Sequence, residues 1–587
     1  MCGIVGMTGE RGAAGSVYER LKLLEYRGYD SAGVASLDGG KFFVSKRRGR
    51  VYSLGGEIKH LHGHTAIGHT RWATHGKPCD ENAHPHVLGK FAIVHNGIIE
   101  NYAELQEKYF KGVQFNSETD SEVAVRLLNY FYDKDPLTAV KKTVDEIAGS
   151  YALVVMCADF DGIIVAKNKN PVIIGYGNGV NYCASDAPAL AGLCDDISVL
   201  SDGDIAVLTD KKIEVYDGNL EPVMREKLKN PALCAELDLG SCPHYMLKEI
   251  NEVPTSITKT CQAFICTYDN IKSYLSGIKR IIITGCGTAY NSGLIGKRYF
   301  ESFARVPVEV ETAGEFRYKN PVIDKKTAVI AISQSGETAD TVEAAKLVKS
   351  LGGKVIAVTN SPYSELTRVA DAVVPVEAGQ EICVAATKSY TGQIAALYLL
   401  ALTLCGGDVE AGAKKLVAAS ELCFQLIQRL DICTLADACA RSDGVFFLGR
   451  DLDCAVATEG SLKLKEISYI PSEGYPAGEL KHGTLALIDI RTVSVVIITD
   501  EYLAPKSLNA VEQILSRKGK VAVVTNIKDV TKKLDGKVNI IEIPDCDKYL
   551  SPLLSAVVVQ LLAYKTSLLL GRDPDKPRNL AKSVTVE

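Results

Sequence analysis

A cysteine at position 2 is the first residue whose type and place could support catalysis. Removal of the initiator methionine would leave the thiol of Cys2 and a free α-amino group on the same residue. The amine has a reference pKa of about 7.7–8.0, close to the value of about 8.5 for a thiol. Such an amine can act as the base that activates a nucleophile, directly or through water. The alternative is an incidental cysteine, because cysteine is one of the most buried residue types.

A second candidate is the polar segment AISQSGETADT, which follows an apolar run and opens a helical pattern. Hydroxyl, amide and backbone N–H donors at a helix N-terminus can bind an anion without lysine or arginine. The segment GCGTAYNS at 285–292 is a second loop of this kind, too short for a Walker motif and without the full GxGxxG pattern. The alternative is a helix cap with solvent-facing serines. The donor side chains of the first loop are Ser333, Gln334, Ser335 and Thr338.

The elements that would position these residues fall into two kinds. Short apolar runs bounded by turn residues, with helical stretches between them, predict an α+β layer structure for the N-terminal third. Farther along, a pattern of buried strands, glycine-rich or polar turns and amphipathic helices occurs twice, which predicts two parallel, doubly wound α/β sheets in tandem. The first copy contains RIIITGCGTAYNS and GGKVIAVTN, and the second contains GVFFLGRDLDCAVATEG and RKGKVAVVTN.

We therefore expect three domains, a linker and a tail. The polar, proline-containing end of the chain would by composition alone be a frayed tail. The expected boundaries are 1–217 for the N-terminal domain, 218–245 for the linker, 246–415 and 416–571 for the two α/β copies, and 572–587 for the tail.

Composition argues against several functional classes. A net charge of −5 gives no electrostatic footprint for nucleic acid. The 17 cysteines have no CxxC or zinc-like spacing, as expected for free thiols in a reducing cytosol. No signal peptide is expected, and the apolar runs Ile394–Cys405 and Leu553–Tyr564 are shorter than the roughly 18 residues of a membrane span, so they predict buried helices. No metal, nicotinamide or pyridoxal site is apparent; the alternating His60, His62 and His64 predict an exposed turn.

Four further motifs accompany Cys2 in the first 215 or so residues. They are EYRGYDSAG (25–33), GHTRWATHG (68–76), HNGIIENY (95–102) and SETDSE (117–122). Together with MCGIVG, they resemble the signatures of class II glutamine amidotransferase domains, which have the N-terminal-nucleophile hydrolase fold. The resemblance implies an αββα domain that hydrolyses glutamine.

The resemblance also implies roles for individual residues. Cys2 would attack the glutamine amide carbon, and the Asn96 side chain and the Gly97 N–H would stabilise the oxyanion. Arg71 suits the glutamine carboxylate as a forked donor, and Asp120 suits its ammonium group; the alternative for this pair is a weak surface ion pair. The remaining implied residues are Thr74 and His75 beside the glutamine, and Trp72 as a gate for ammonia, with ordinary packing as its alternative.

The two donor loops together resemble the sugar isomerase (SIS) fold. The second copy carries EGSLKLKEISYI and GELKHGTLALID, and the chain ends in AKSVTVE. These segments are similar to the synthase half of the glucosamine-6-phosphate synthase family, in the same domain order. Two positions depart from that pattern, because Ala289 and Ala386 stand where the family often has serine. These two differences affect which groups would contact the sugar phosphate, and they do not change the expected function.

The family mechanism supplies expectations for this half. Lys582 would form a Schiff base with C2 of fructose 6-phosphate, and His482 would open the sugar ring from a partner subunit. Glu466 would move a proton between C1 and C2, and Lys463 would steady the developing negative charge. The alternative for Lys463, Lys465 and Glu466 is a solvated helix face. The sugar phosphate would contact Thr288, Ser333, Gln334, Ser335, Thr338, Val384 and Ala581.

The resemblance thus implies a cytoplasmic, homodimeric enzyme that needs no cofactor and makes glucosamine 6-phosphate and glutamate. One alternative is another class II amidotransferase, such as the one that acts on phosphoribosyl pyrophosphate, but the acidic pair and phosphate loop it needs are not found. A second alternative is a non-catalytic sugar-phosphate sensor, against which the presence of both Cys2 and Lys582 argues. The resemblance further implies an ordered tail, which Leu580, Ala581, Val584 and Val586 could anchor.

Overall fold

The computed structural model describes residues 2–73, 75–230 and 238–585. Their contacts divide the chain into two compact units. One comprises Met1–Asp238 together with Ala581–Glu587, and the other comprises Leu239–Leu580. Each unit is described by itself below.

The N-terminal unit is built on two antiparallel sheets with helices on their outer faces. Its strands are β1 (Gly3–Thr8), β2 (Ser31–Asp38), β3 (Lys41–Arg48), β4 (Thr65–Arg71), β5 (His86–Leu88), β6 (Phe91–Ile99), β7 (Gly149–Cys157), β8 (Phe160–Asn168), β9 (Ile173–Tyr176), β10 (Asn181–Ala184), β11 (Asp196–Val199), β12 (Ile205–Leu208), β13 (Ile213–Tyr216) and β14 (Leu228–Lys229). Its helices are α1 (Ala13–Lys22), α2 (Gly55–Ile58), α3 (Tyr102–Tyr109), α4 (Ser121–Phe131) and α5 (Pro136–Glu146).

The sheet orders place the chemistry-bearing strands in the centre. One sheet has the order β14-β11-β9-β10-β1-β4-β2-β3, and the other has the order β13-β12-β8-β7-β6-β5. Apolar side chains of both sheets, such as Ile4 and Val94, form one core. Helix α1 packs on the first sheet, and α4 and α5 pack on the second. This is the predicted αββα arrangement.

The second unit contains two copies of a five-stranded parallel sheet. The first copy has β15 (Arg280–Gly285), β16 (Val308–Thr312), β17 (Thr327–Ser333), β18 (Lys354–Thr359) and β19 (Ala372–Pro375), with α6 (Tyr245–Asn251), α7 (Val253–Leu275), α8 (Thr288–Tyr299), α9 (Ala313–Tyr318), α10 (Ala339–Ser350), α11 (Glu365–Val369) and α12 (Lys388–Cys405). The second copy has β20 (Gly444–Gly449), β21 (Ser472–Pro476), β22 (Thr492–Ile498), β23 (Lys520–Thr525) and β24 (Asn539–Glu542), with α13 (Val409–Arg429), α14 (Cys433–Ala440), α15 (Leu452–Ser468), α16 (Ala504–Leu515), α17 (Lys528–Leu534) and α18 (Ser551–Leu569).

The predicted repeat is confirmed in the strand orders, which are β16-β15-β17-β18-β19 and β21-β20-β22-β23-β24. Every residue of β17 and β22 is buried, as expected for parallel strands covered by helices on both faces. One apolar core continues through both copies. By length and composition alone, helix α18 could cross a membrane. However, 83% of its most apolar 18-residue stretch is buried, and the helix packs in this core.

The first helix after the first strand starts from the same unusual turn in both copies. Gly287 precedes α8 with φ 55° and ψ −123°, and Asp451 precedes α15 with φ 55° and ψ −121°. Positive φ favours glycine, so the second copy holds an aspartate in a strained conformation. The carboxylate of Asp451 pairs with Arg298 of α8 at 2.7 Å, so the turn also joins the two copies.

Parts of the expected linker and of the expected tail belong to ordered structure. Leu228–Lys229, inside the expected linker, is the edge strand of the eight-stranded sheet. In the tail, the Asp575 carboxylate accepts the N–H groups of Tyr245 and Met246 at 2.8 and 2.7 Å, and the Asp575 carbonyl accepts the N–H of Val384. The tail is therefore packed at these residues, against the expectation from its composition alone.

Candidate active sites

Cys2 lies directly before β1, and its thiol is held by the backbone of Trp72 at the end of β4. The Trp72 N–H donates to Cys2 Sγ at 3.3 Å, and the thiol lies 3.5 Å from the Trp72 carbonyl oxygen. Burial raises the pKa of the Cys2 thiol, while the Trp72 N–H and the charges of Arg71 and Arg27 oppose this effect. Burial is the larger effect, so the pKa of the resting thiol is raised, and the thiol needs a base to become the nucleophile.

Two oxyanion donors expected from the sequence lie beside this thiol. Strand β6 carries Asn96, whose side-chain amide donates to the Cys2 carbonyl oxygen at 3.0 Å. The next residue, Gly97, has φ 136°, and a Cβ atom there would lie 2.0 Å from the Ser150 carbonyl oxygen. Only glycine fits this conformation and this space. Both residues line one cavity together with Cys2, Arg71, Trp72, His75 and Asp120.

Arg71 and Asp120 are both 4% exposed, so the interpretation as a surface ion pair is wrong. The Arg71 guanidinium donates to the backbone carbonyls of His75 and Gly76, which fixes the loop after β4. Asp120 accepts the N–H of Ile99 at 2.7 Å, which holds the carboxylate at the cavity wall. Thr74 lies outside the described residues.

The EYRGYDSAG motif forms the support behind the thiol, a role that the sequence did not reveal. Arg27 donates to the Cys2 carbonyl at 3.3 Å and pairs with Asp186 at 2.6 Å. Asp30 accepts the N–H of Ala73 at 2.8 Å, next to Trp72. At Gly28, a Cβ atom would lie 2.7 Å from the Trp72 nitrogen, so the close approach of the two segments requires glycine.

The far end of the chain also reaches this cavity. Thr585 is 6% exposed, lines the cavity, and its hydroxyl lies 3.0 Å from Asn170 Oδ1. Val584, expected as an apolar anchor, is 41% exposed, so that expectation is wrong. Val586 lies outside the described residues. The buried anchors are the polar Ser583 and Thr585, because the neighbouring surface offers hydrogen-bonding groups such as Asn170.

In the second unit, both predicted donor loops lie at the carboxyl ends of neighbouring strands. Strands β15 and β17 pair in parallel, with Gly285 opposite Ile332. The loop after β17 turns at Gly336, whose N–H donates to Ser333 Oγ at 3.0 Å, and the Ser333 and Thr338 hydroxyls lie 3.0 Å apart. Helix α10 starts directly after Thr338. The predicted anion site is therefore a loop at a helix N-terminus.

The interpretation of Lys463, Lys465 and Glu466 as a solvated face is wrong for Lys463. Its side chain is 1% exposed, and its ammonium group lies 2.6 Å from Glu466 and 3.6 Å from Glu459. Lys465, two positions on, is exposed, as the helical period requires. Burial acts to lower the pKa of Lys463, but the charges of Glu466 and Glu459 outweigh it and raise the pKa above its usual value. Lys463 is therefore a buried cation.

Glu459 connects this pair to the first copy and was not identified from the sequence. It is fully buried on α15, and its carboxylate accepts hydrogen bonds from Thr288 Oγ1 at 3.0 Å and from Asn291 Nδ2 at 2.8 Å, both on α8. Burial raises the pKa of Glu459 to about 7, although Lys463 and Asn291 oppose it. The contact brings the predicted Thr288 beside the predicted Lys463–Glu466 pair.

The remaining predicted residues have separate places. His482 is exposed at the end of a 3₁₀ turn, Glu479–His482, and within the described ranges no hydrogen bond or ion pair joins it to Lys463 or Glu466. Lys582 and Ala581 are half-buried in the last segment, which belongs to the N-terminal unit. His60, His62 and His64 are exposed, and no group of three or more potential metal ligands occurs among the residues the structure describes.

Comparison with known proteins agrees with this division. Residues 69–192 match the family model of a glutamine amidotransferase domain, and residues 274–403 and 439–570 each match that of the SIS domain. The isomerizing glutamine–fructose-6-phosphate aminotransferase of Caldanaerobacter subterraneus is 45% identical over 615 residues, and the same enzyme of Aquifex aeolicus is 44% identical over 597 residues; both alignments cover 100% of each chain.

Solved structures match the second unit. The C-terminal domain of glucosamine-fructose-6-phosphate aminotransferase from Francisella tularensis has a TM-score of 0.55 and 33% identity, covering 58% of this chain and 100% of that one. A tagatose-6-phosphate ketose/aldose isomerase from Escherichia coli shares the fold, with a TM-score of 0.51 at 17% identity, covering 59% of this chain and 97% of that one. By its full-length identity to the curated enzymes, the chain belongs to the family of isomerizing glutamine–fructose-6-phosphate aminotransferases.

Proposed function

We propose that the enzyme transfers the amide nitrogen of glutamine to fructose 6-phosphate and isomerises the product, releasing glucosamine 6-phosphate and glutamate. The observation that carries the proposal is the full-length identity of 45% and 44% to two curated aminotransferases, in a chain that has both candidate sites. The alternatives of a non-catalytic sensor and of another amidotransferase lack such support. The assignments of individual residues below are part of the proposal.

In the glutaminase half, Cys2 attacks the amide carbon of glutamine. The negative oxygen of the tetrahedral intermediate takes hydrogen bonds from the Asn96 amide and the Gly97 N–H. Arg71 and Asp120 hold the carboxylate and ammonium groups of glutamine, with His75 beside them. Loss of ammonia leaves a thioester on Cys2, and water hydrolyses it to glutamate. Trp72, adjoining Arg71, gates the passage of ammonia.

In the sugar half, the loop at Ser333–Thr338 binds the phosphate of fructose 6-phosphate. Lys582 forms a Schiff base with C2 of the open-chain sugar, and Glu466 moves a proton between C1 and C2. Lys463, held as a cation by two carboxylates, stabilises the negative charge that develops as the proton leaves. Thr288, Val384 and Ala581 complete the sugar-phosphate contacts.

We further propose a cytoplasmic homodimer in which His482 opens the sugar ring of the partner subunit. The exposure of His482 supports this, because an exposed imidazole is free to enter a second chain's site. The homodimer would give a single mass of twice 63.3 kDa in solution.

Product analysis with amide-¹⁵N-glutamine and fructose 6-phosphate tests the function. We expect one ¹⁵N-labelled glucosamine 6-phosphate for each glutamate released. A variant with Cys2→Ala should make no labelled product while it still binds fructose 6-phosphate. Glutamate release without an amino sugar, or label in a different product, would overturn the proposal.

A further inference from the structure

Four histidines are buried close to the oxyanion donor of the glutaminase cavity, and none has a role in the reaction as proposed above. They are His69, His84, His86 and His95, with 0–6% exposure. The ring centres of His69 and His84 lie 4.2 Å apart, and those of His84 and His86 lie 4.6 Å apart. Burial lowers the pKa of His69 to about 3, so its ring is neutral at ordinary pH.

The contacts of His69 determine which of its ring nitrogens carries the hydrogen. Its Nε2 lies 3.0 Å from Asn96 Oδ1 and 3.1 Å from the His95 carbonyl oxygen. Both oxygens are acceptors, so Nε2 must be the donor. Nδ1 is buried and has no hydrogen-bond partner among the described residues, where a hydrogen on it would be an unsatisfied donor.

The same contacts determine the orientation of the Asn96 amide. Its oxygen accepts from His69, and its NH₂ group therefore points to the other side, where it donates to the Cys2 carbonyl at 3.0 Å. If the amide were turned over, its oxygen would face the nucleophile and would repel the negative oxygen of the intermediate. His84 supports His69 by packing on its ring, and His84 Nδ1 accepts the N–H of His95 at 3.2 Å.

We propose that His69 is a positioning residue for the oxyanion hole: its Nε2–H fixes the side-chain amide of Asn96 with the NH₂ group toward Cys2. The inference rests on the proposed role of Asn96 as an oxyanion donor. A residue that fixes a catalytic donor before the reaction removes the cost of orienting it in the transition state.

The test compares, in the full-length enzyme, two substitutions of His69 whose side chains differ in length. In His69→Gln, the side-chain NH₂ can take the place of Nε2–H, whereas the side chain in His69→Asn is too short to reach Asn96. Loss of one oxyanion donor typically lowers kcat by about 10²–10³-fold. We expect His69→Asn to lower kcat for glutamine hydrolysis by about 100-fold, with KM for glutamine changed by less than about 2-fold, and His69→Gln to recover most of the loss.

A binding measurement separates positioning from general disruption. The aldehyde analogue of glutamine, glutamate γ-semialdehyde, takes the Cys2 sulfur at its carbonyl carbon; the carbonyl electron pair moves to oxygen, which accepts the thiol proton. The new tetrahedral oxygen occupies the oxyanion position, whereas glutamate forms no bond to Cys2 and therefore no tetrahedral oxygen. His69→Asn should therefore weaken binding of the aldehyde by about 100-fold and leave the binding of glutamate unchanged.

Two control variants make each failure distinguishable. His86→Asn changes a histidine of the same stack that bonds Thr119 instead of Asn96, and it should leave the ratio of aldehyde to glutamate affinity at the parent value. Asn96→Ala tests the oxyanion donor itself, and unchanged aldehyde affinity there would refute the proposed role of Asn96. If Asn96→Ala loses aldehyde affinity while His69→Asn does not, or loses aldehyde and glutamate affinity equally, the positioning role of His69 is wrong.

Discussion

The two SIS domains share a sheet order but satisfy the N–H groups of the loop after the central strand with different side chains. In the first, the loop between β17 and α10 satisfies two of its N–H groups with neutral hydroxyls: Ser333 accepts the N–H of Gly336 at 3.0 Å, and Ser335 accepts that of Glu337 at 3.2 Å. In the second, the loop between β22 and α16 supplies its own acceptors: Asp500 takes the N–H groups of Tyr502 and Leu503 at 2.8 and 3.3 Å, and Asp453 takes the N–H of Thr499 at 2.9 Å. The second domain thus has carboxylates where the first has hydroxyls, and a carboxylate repels an anion whereas a hydroxyl can donate to it.

The first turn of the matching helices differs in the same sense. Asp453 is the second residue of α15, where α8 has the small Ala289. Under the proposed function, the phosphate binds at the loop of the first domain, because the carboxylates of Asp453 and Asp500 lie at the matching loop of the second. The second domain instead contributes Lys463 and Glu466 from the next turns of α15. Under the proposed function, a shared fold thus carries anion binding in one copy and proton transfer in the other, because the loops and helix faces differ while the sheet orders do not.

Among the substitutions that test the different roles of the two SIS domains, Glu466→Gln in the second domain should have the largest effect. A general acid–base group typically contributes 10²–10⁴ to a rate, so we expect formation of the amino sugar to fall by about 10³-fold. Glutamine hydrolysis, assayed in the same samples, should continue. Glu473→Gln, at an exposed position on β21, should behave like the parent. Full synthesis by the Glu466→Gln enzyme would show that the second domain does not move the proton.

Asp453 allows a test through the pH dependence of stability. Burial raises its pKa to about 6 from 3.8, although hydrogen bonds from Thr499 oppose the shift. The folded state therefore favours the protonated carboxyl. The contribution of this proton to the unfolding free energy is complete below pH 3.8 and is lost as the pH rises through about 6. The difference of about 2 pKa units corresponds to about 3 kcal/mol.

We expect the parent to lose about 3 kcal/mol of unfolding free energy relative to Asp453→Asn between pH 3.5 and pH 7 (roughly the two limits of this shift). Urea denaturation followed on the second unit measures the difference. Asp535→Asn, at an exposed position, controls for the introduction of asparagine and should run parallel to the parent. If the unfolding free energy of Asp453→Asn also ran parallel to that of the parent across this pH range, ionisation of Asp453 would not destabilise the folded state, and the prediction would be wrong.

Ser335→Asp replaces a hydroxyl that accepts a loop N–H in the first domain with a carboxylate, like that of Asp500 in the second. The carboxylate would take the loop's N–H donors and repel the phosphate, so we expect KM for fructose 6-phosphate to rise by about 100-fold, which corresponds to about 2.7 kcal/mol. Initial rates at saturating glutamine measure the change. Ser335→Asn, which has nearly the same size without the charge, should raise KM by less than about 10-fold. Equal effects of the two variants would attribute the change to size.

The smallest expected effect is that of Asp500→Asn in the second domain. Its carboxylate caps the turn before α16, and loss of such a cap typically costs about 1 kcal/mol. KM for fructose 6-phosphate should stay at the parent value, because under the proposed function the sugar phosphate binds in the first domain. A raised KM would place the sugar phosphate in the second domain and reverse the comparison.

Much of this organisation follows from the sequence, because it depends on local patterns. The buried runs of β17 and β22 predicted parallel strands, and the repeat of strand, loop and helix predicted two copies. The motifs around Cys2, Asn96 and Asp120 were predicted to meet, and they line one cavity. These features are encoded in segments of a few residues whose composition reports their surroundings.

Other parts of the sites depend on residues that are distant in the sequence. Glu459 read as an ordinary charge on a helix, because its partners Thr288 and Asn291 lie more than 160 positions away. Thr585 and Asn170 are 415 positions apart. The role of His69 depends on which ring nitrogen meets Asn96, and no spacing reveals that. Helical periodicity alone could have predicted that Lys463 and Lys465 lie on different faces of the helix. It could not have shown which of the two faces is buried.

The buried contact of Glu459 also limits how this enzyme can be taken apart. Its carboxylate is supplied by the second SIS domain, and both of its side-chain donors come from the first. A fragment containing only one copy would lose both hydrogen bonds and would expose to water the apolar core that continues through both copies. The two copies therefore form one module with a shared core, so fragments made for crystallography or for exchange with other sugar-phosphate enzymes should retain both.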